Sequence, residues 1–452
     1  MKNWEERAVL ETDRGLPTLA EADVIVCGGG PAGVATAVTA ARSGMKTVMI
    51  EKYGFCGGAS VAGLSGTICG MYTAAGDREK TPEQVVFGFA EEFRQGLLAR
   101  KGATEPQPYG KTRVITFDPM VWRETADDML LAAGVKVLFH TLITGVLMQG
   151  DGIRGVRVDS SAGQSLVKGK IVVDATGDGS VSARMGCAYR YGDQGRIQNP
   201  TMIFRVGGID MDRYLAYYGE NDTICPEKMT RAISEQNGNG AYSLPRNHIW
   251  MFPLPAPGML LVNATRLAGQ DGHMLNPVNP EDRTEAEILG RKAVREYERF
   301  FRDFVPGCEN IFLVDTGVEV GVRQTRSILG VATLTNDDVV SCRKRPDGVV
   351  RSPWPIELHS GEKPKLHWLL DDYYEIPFGA LIPEKHEGII LAGRCLSAEH
   401  EALASGRVTA QCFEMGHAVG VASTLAVRSG RKLRDIPGEE VRTKMAAQGS
   451  RL

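Results

Sequence analysis

The chain has 452 residues, enough for more than one domain, and its 43% hydrophobic and 24% charged content is that of an ordinary globular protein. A formal net charge of −3 excludes a general pull toward nucleic acid or an anionic membrane surface. No apolar run reaches the length of a membrane span, so the expectation is a cytoplasmic protein with neither nucleic acid nor membrane as partner.

The opening M-K-N-W-E-E-R is too acidic and interrupted for a signal peptide, and residues 1–22 read as an N-terminal arm. Val24–Val26 then forms a short buried strand, followed by Gly28, Gly30 and Gly33 in G-x-G-x-x-G spacing. Ala32–Ala41 is a small-residue helix, and a second strand, Thr47–Ile50, ends in Glu51. Each residue type has a task. The first glycine permits the turn, the second lets backbone N–H groups approach a pyrophosphate, and the third keeps helix against strand. A carboxylate some 20 residues on accepts hydrogen bonds from a ribose hydroxyl.

A glycine-rich loop, K-Y-G-F-C-G-G-A-S, follows as residues 52–60, where backbone lies close to a ligand or to other backbone. Cys56 in that loop is either a packing residue or a reactive thiol. The nine cysteines are odd in number and scattered, with no C-x-x-C pair. That argues against a disulfide framework, an iron–sulfur cluster, a zinc site and a redox dithiol, so no metal is expected.

Pro82–Arg100 has helical periodicity, and Asp118-Pro119 starts a helix that runs to Gly134. A strand at Val135–Phe139 precedes a β-meander of Ile143–Met148, Ile153–Val158 and Gln164–Val167. Lys170–Ala175 returns as a buried strand into T-G-D-G-S, residues 176–180, at the sheet edge where open α/β sheets bind ligands. Residues 189–375 change character, with strands at Thr201–Val206 and Met259–Asn263 and a long charged helix at Asn276–Arg302. The last unit has a buried strand, Gly388–Ala392, then Gly393-Arg394 and a small-residue helix from about Arg407 to Ala426. Residues 429–452 read as a loosely held tail.

The fold class expected is α/β: a Rossmann-like domain of parallel sheet with a β-meander, made of residues 23–188 and 376–428, and an inserted mixed α+β substrate domain at 189–375. G-G-G-P-A-G with Glu51, D-A-T-G-D-G-S, G-V-R-Q-T-R-S-I-L-G, Y-Y-E-I-P and L-A-G-R-C-L-S-A-E-H, in this order, resemble the FAD-dependent oxidoreductase family of two-dinucleotide-binding-domain flavoproteins. The resemblance extends to the flavin part of heterodisulfide reductase and runs from about Ala22 to Val427. It implies FAD bound in extended form. Gly28, Gly30, Pro31, Ala32 and Gly33 would lie at the pyrophosphate and Glu51 at the adenosine ribose. Lys52, Gly57, Gly58 and Ala59 would run beside the ribityl chain and ring. Val137 would meet adenine, and Gly177 would close the adenosine end. Gly393 and Arg394 would flank the pyrophosphate and ribityl chain, with Gly406, Arg407 and Val408 at the pyrimidine edge of the flavin. The chain departs from these relatives in lacking their cysteine clusters, the redox cysteine pair and a second nucleotide fingerprint.

The chemistry left to the protein is to hold a small-molecule substrate and move a proton. Arg323 and Arg326 lie three apart, a spacing for a shared helical face or a turn; one of them can bind a substrate carboxylate or the flavin O2 region, or the pair can instead make ion pairs between domains. His359 is a proton carrier or a structural histidine, and His400 stands near the flavin by resemblance. Tyr374 is an acid or a core aromatic. The expected reaction is hydride transfer between flavin N5 and a small organic molecule, with an external electron carrier, in a chain that can form homo-oligomers. The alternatives are an O2-using monooxygenase, a non-catalytic nucleotide-binding scaffold, and an NAD-binding enzyme related to the thiazole-forming synthases.

Overall fold

A computed structural model describes residues 15–77, 80–219, 224–358 and 365–452. Its centre is a seven-stranded sheet with two personalities. Five strands are parallel: Lys136–Leu138, Thr47–Ile50, Thr18–Cys27, the C-terminal half of Gly163–Asp174, and Ile389–Leu391. The meander strands Leu142–Gln149 and Gly152–Ser160 add antiparallel to the N-terminal half of Gly163–Asp174. The expected strands Gln164–Val167 and Lys170–Ala175 are therefore one strand of 12 residues. Its polar middle, Lys168-Gly169-Lys170, stays extended because Glu21 and Ala22 pair with it on one side and Gly155 on the other. The same pairing lengthens the first strand back to Thr18, beyond the apolar run Val24–Val26.

The helix Pro31–Arg42 packs on this sheet and against a second helix, Thr409–Ser429. The two touch backbone to backbone: a Cβ at Gly416 would lie 2.1 Å from Ala32 O, and Thr36 Oγ1 donates to Gly416 O at 3.1 Å. Small residues in both helices permit this approach, which brings the start of the late helix beside the glycine turn. Phe93, Trp122 and Phe413 close the core behind them, with Phe93 at 4.7 Å from each of the other two rings.

A second, antiparallel sheet has the order Trp250–Pro253, Leu260–Asn263, Phe204–Gly207, Phe312–Thr316. The helix Pro280–Phe304 covers it, burying Val294, Tyr297, Phe300 and Phe301 in a separate core with Phe204, Met251 and Val262. Asn279 caps this helix by accepting from the Glu281 N–H, and Glu281 and Asp282 in the first turn suit its dipole.

The polar C-terminal stretch differs from the loose tail that its composition predicts. Gly438–Ala447 is a helix whose Val441 and Met445, four residues apart, are fully buried. Arg442 donates to Glu375 Oε1 at 3.0 Å and to Gly348 O at 2.7 Å. Ser450 Oγ donates to Glu414 Oε2 at 2.6 Å. Val441 and Met445 on one helical face, with buried Leu433 and Ile436 just before the helix, dock an otherwise charged segment. Among the described residues, no helix is long and apolar enough to cross a membrane.

Candidate functional site

One long cleft runs over the carboxyl ends of the parallel strands and ends beneath the second sheet. Gly28, Gly30, Pro31, Ala32, Glu51, Lys52, Gly58, Ala59, Gly177, Gly393, Arg394, Arg323, Arg407 and Val408 all line it. The glycine turn is shaped by contact. A Cβ at Gly33 would stand 1.9 Å from Gly28 O, whereas one at Gly30 would project into the cleft, 3.9 Å from the Gly58 Cα. Gly33 thus seats the helix on the turn, and Gly30 leaves room for a ligand at the helix N-terminus.

Glu51 is buried, and both its oxygens accept backbone N–H groups, from Gly29 at 2.6 Å and Tyr53 at 2.9 Å. Burial pushes its carboxyl above the usual range, against the pull of those two donors. Each oxygen keeps a lone pair for a ribose hydroxyl. Next to it, Glu319 gathers Lys52 Nζ at 2.9 Å, Tyr53 Oη at 2.6 Å and the Arg283 guanidinium.

The D-A-T-G-D-G-S turn is organised by Asp174, which is fully buried. Its Oδ1 accepts from Thr176 Oγ1 at 2.7 Å, and its Oδ2 from the Ser182 N–H and Oγ, each at 2.8 Å. Asp178 at the tip accepts from Arg394 Nη2 at 2.7 Å and Thr325 Oγ1 at 2.8 Å. Burial alone would raise its carboxyl, but Arg394 and the other donors outweigh it and hold the group down at about 2. Gly177 makes this pairing possible, since it has φ +75° and a Cβ there would come within 2.9 Å of Arg394 Nη2.

At the far end, the walls are side chains. Tyr109 stacks on Trp354 with ring centroids 5.5 Å apart, and on Phe252 at 6.2 Å. The Tyr109 hydroxyl donates to Glu357 Oε1 at 2.8 Å. Burial pushes Glu357 up, while Tyr109, Arg246, Arg323 and Arg407 pull the other way. Arg323 donates to Asn199 O at 3.0 Å and Asn263 Oδ1 at 3.2 Å, and Arg407 to Gln198 Oε1 at 3.2 Å.

Other expected residues lie elsewhere. Arg326 does not join Arg323 in the cleft: the segment is not a helix, and Arg326 instead begins the strand Arg326–Ile328. Arg326 reaches Asp178 O at 3.0 Å and stacks over Tyr189. Gly57 has φ +144° and packs against Val61; Gly406 packs near Leu334 and Tyr374, and neither lines the cleft. Val137 is in the edge strand opposite Met49, while Thr141, Leu142 and Ile143 form the nearby wall. His400 begins the helix His400–Gly406 and faces the turn at Gly192, away from the cleft; burial lowers its basicity. Tyr374 is a core residue bonded to Ser405 Oγ at 2.8 Å. Cys56 is fully buried, with its thiol pushed far up by burial and by Glu51. His359 lies outside the described residues.

Sequence reasoning reads Asp178 only as part of the T-G-D-G-S turn, without its pairing to Arg394, and it misses Tyr109, Phe252 and Glu357. Of these three, only Glu357 carries a local signal, as an acid between Ile356 and Leu358 in an apolar strand. Tyr109 sits 248 residues from its partner, beyond the reach of any motif.

A family model described as FAD dependent oxidoreductase matches residues 23–445, and the chain belongs to that family. It is similar to the thiamine thiazole synthase of Methanococcus vannielii, with 28% identity over 172 residues, 36% of this chain and 59% of that protein. It is also similar to digeranylgeranylglycerophospholipid reductase 1 of Methanococcoides burtonii, with 23% identity over 217 residues, 45% of this chain and 49% of that one. The chain thus spans about half the length of the curated relatives it matches. Among solved structures, p-nitrophenol 4-monooxygenase from Pseudomonas putida aligns at 12% identity and a TM-score of 0.49, covering 95% of this chain and 86% of that one. A geranylgeranyl bacteriochlorophyll reductase-like protein from Thermoplasma acidophilum aligns at 15% identity and 0.44, covering 95% and 83%.

FAD is therefore the cofactor, and the residues present fit it. Gly30 and the helix start leave a donor-lined space for phosphates, Glu51 offers ribose acceptors, and Arg394 supplies a cation beside the glycine turn.

Proposed function

We propose, with membership of the FAD dependent oxidoreductase family as premise, that this protein transfers a hydride between FAD and a small organic substrate. An external electron carrier would serve the other half of the cycle. The substrate would sit in the side-chain-walled end of the cleft, beneath the second sheet. The observation that carries this reading is the Tyr109–Glu357 pair, a phenol and a carboxyl group, both buried, both lining the cleft and joined at 2.8 Å.

When bound, FAD supplies the two-electron chemistry, which leaves the chain to seat the substrate and carry its proton. The buried phenol stays protonated, since burial and then Glu357 push it far up. It can give a proton from Oη to the substrate while Glu357, in its protonated form, passes its own proton to the phenolate left behind; the reverse reaction returns both protons. Burial pushes the Glu357 carboxyl toward neutrality, which suits a group that must both hold and release a proton. Trp354, Phe252 and Ile203 exclude water around that pair. Arg394, held by Asp178, keeps a cation beside the glycine turn.

The test is anaerobic mixing of the purified flavoprotein with candidate reductants and substrates, followed by the visible flavin bands. Bleaching and recovery without O2 are expected. A strict requirement for O2 together with a hydroxylated product would overturn hydride transfer in favour of a monooxygenase.

A further inference from the structure

Arg323 and Arg407 line the substrate end of the cleft as cations held by neutral partners only. Arg323 is 6% exposed, and its two acceptors are a backbone carbonyl and the Asn263 amide oxygen. Arg407 is held by the Gln198 amide oxygen, and its Nε has no hydrogen-bond partner. Among the described residues neither forms an ion pair. The carboxylate whose charge acts on both is Glu357, which already accepts from Tyr109 and is shared with Arg246. Burial and the like charge of Arg246 and Arg407 push Arg323 well below the usual range. Burial and Arg394 bring Arg407 down to about 10. Buried positive charge in excess of negative is costly, and an incoming anion relieves it. A guanidinium fork matches a carboxylate in shape as well as charge.

The walls add a second constraint. The Phe252, Tyr109 and Trp354 rings lie nearly parallel, within 20° across each contact, and with Ile203 they make this end of the cleft an apolar, largely aromatic wall. Such a surface favours a flat partner over a bulky saturated one.

We propose that the substrate is a small carboxylate on a planar, aromatic or unsaturated body, its anion held by Arg323 and Arg407 and its plane along the Tyr109, Phe252 and Trp354 walls. The proposal rests on the oxidoreductase reading of the same compartment and narrows it to a substrate class.

The experiment is calorimetric titration of the holoenzyme with benzoate and cinnamate and with their neutral amides. At least one acid should bind saturably, with its amide weaker by roughly tenfold or more. Arg323→Gln should weaken that acid by a similar factor while FAD content stays unchanged, and Arg323→Lys should recover part of the loss. Arg407→Gln serves if the first variant does not fold. Equal affinity for acid and amide, or no saturable heat from either acid, overturns the proposal. So does an Arg323→Gln protein that keeps its affinity for the acid, or one that folds but loses FAD, which would assign the cation to the flavin. The readout separates the two readings. Acid-selective binding by a chain that never takes up FAD would sink the oxidoreductase reading and leave the anion site standing. A working flavoprotein indifferent to ligand charge would do the reverse.

Discussion

The cofactor end and the substrate end of the cleft are built from different materials. Around the glycine turn glycine backbone forms much of the wall, at Gly28, Gly30, Gly58, Gly177 and Gly393, with the Glu51 and Arg394 side chains set into it. Beneath the second sheet they are side chains from distant parts of the chain: Tyr109, Phe252, Arg323, Trp354, Glu357 and Arg407. Peptide groups are the same in every sequence and suit a ligand that many proteins share. A particular substrate needs charges and rings in a particular arrangement. Damage to the first end should cost the cofactor, and damage to the second should cost only substrate chemistry.

The sharpest break in that division is Gly33→Val. Its Cβ would meet Gly28 O at 1.9 Å, so the helix must leave the turn. The strain should exceed about 1–3 kcal/mol, and flavin content, read from absorbance, should fall to near zero. At the other end, Tyr109→Phe keeps the ring stack and removes the hydroxyl that donates to Glu357. Turnover should slow by about 100-fold or more with FAD content unchanged, as measured by anaerobic stopped-flow.

Asp178→Asn probes the junction between the two ends. The folded carboxyl lies at about 2 against an ordinary 3.8, so its contribution is fully present above the unfolded value and is lost as pH falls through the folded one. At neutral pH that shift corresponds to on the order of 2 kcal/mol. Denaturant midpoints should drop accordingly in Asp178→Asn, and the wild type alone should lose that increment between about pH 4 and 2. The smallest effect belongs to Ser450→Ala, which removes a donor to buried Glu414; neither residue lines the cleft. About 1 kcal/mol of stability should go, with FAD content and turnover intact.

The same division explains what the sequence reveals. The glycine spacing, Glu51 and the Ala- and Gly-rich helices are legible because each meets a local backbone demand: a turn, a close approach or a helix start. The long strand Gly163–Asp174 is obscured because its polar middle is held by pairing with strands remote in sequence. Tyr109 and Glu357 meet only in three dimensions, so no spacing announces them. Proximity in sequence also misleads. His400 stands five residues after Cys395, within the motif that begins at the cleft, yet the helix it begins turns it toward Gly192. Arg323 and Arg326, three residues apart, suggest a shared helical face or turn, yet only Arg323 lines the cleft and Arg326 begins a strand. The C-terminal segment shows that a few buried apolar residues, Leu433, Ile436, Val441 and Met445, can dock a stretch whose polar composition suggests a free tail.

The most direct test of the two-ended cleft is FAD content, measured side by side on the wild type, Gly33→Val and Arg323→Gln after folding is verified. Roughly stoichiometric FAD in the wild type and in Arg323→Gln, with little or none in Gly33→Val, is the expected result. A folded Arg323→Gln protein without FAD, or a Gly33→Val protein that keeps it, would contradict the account.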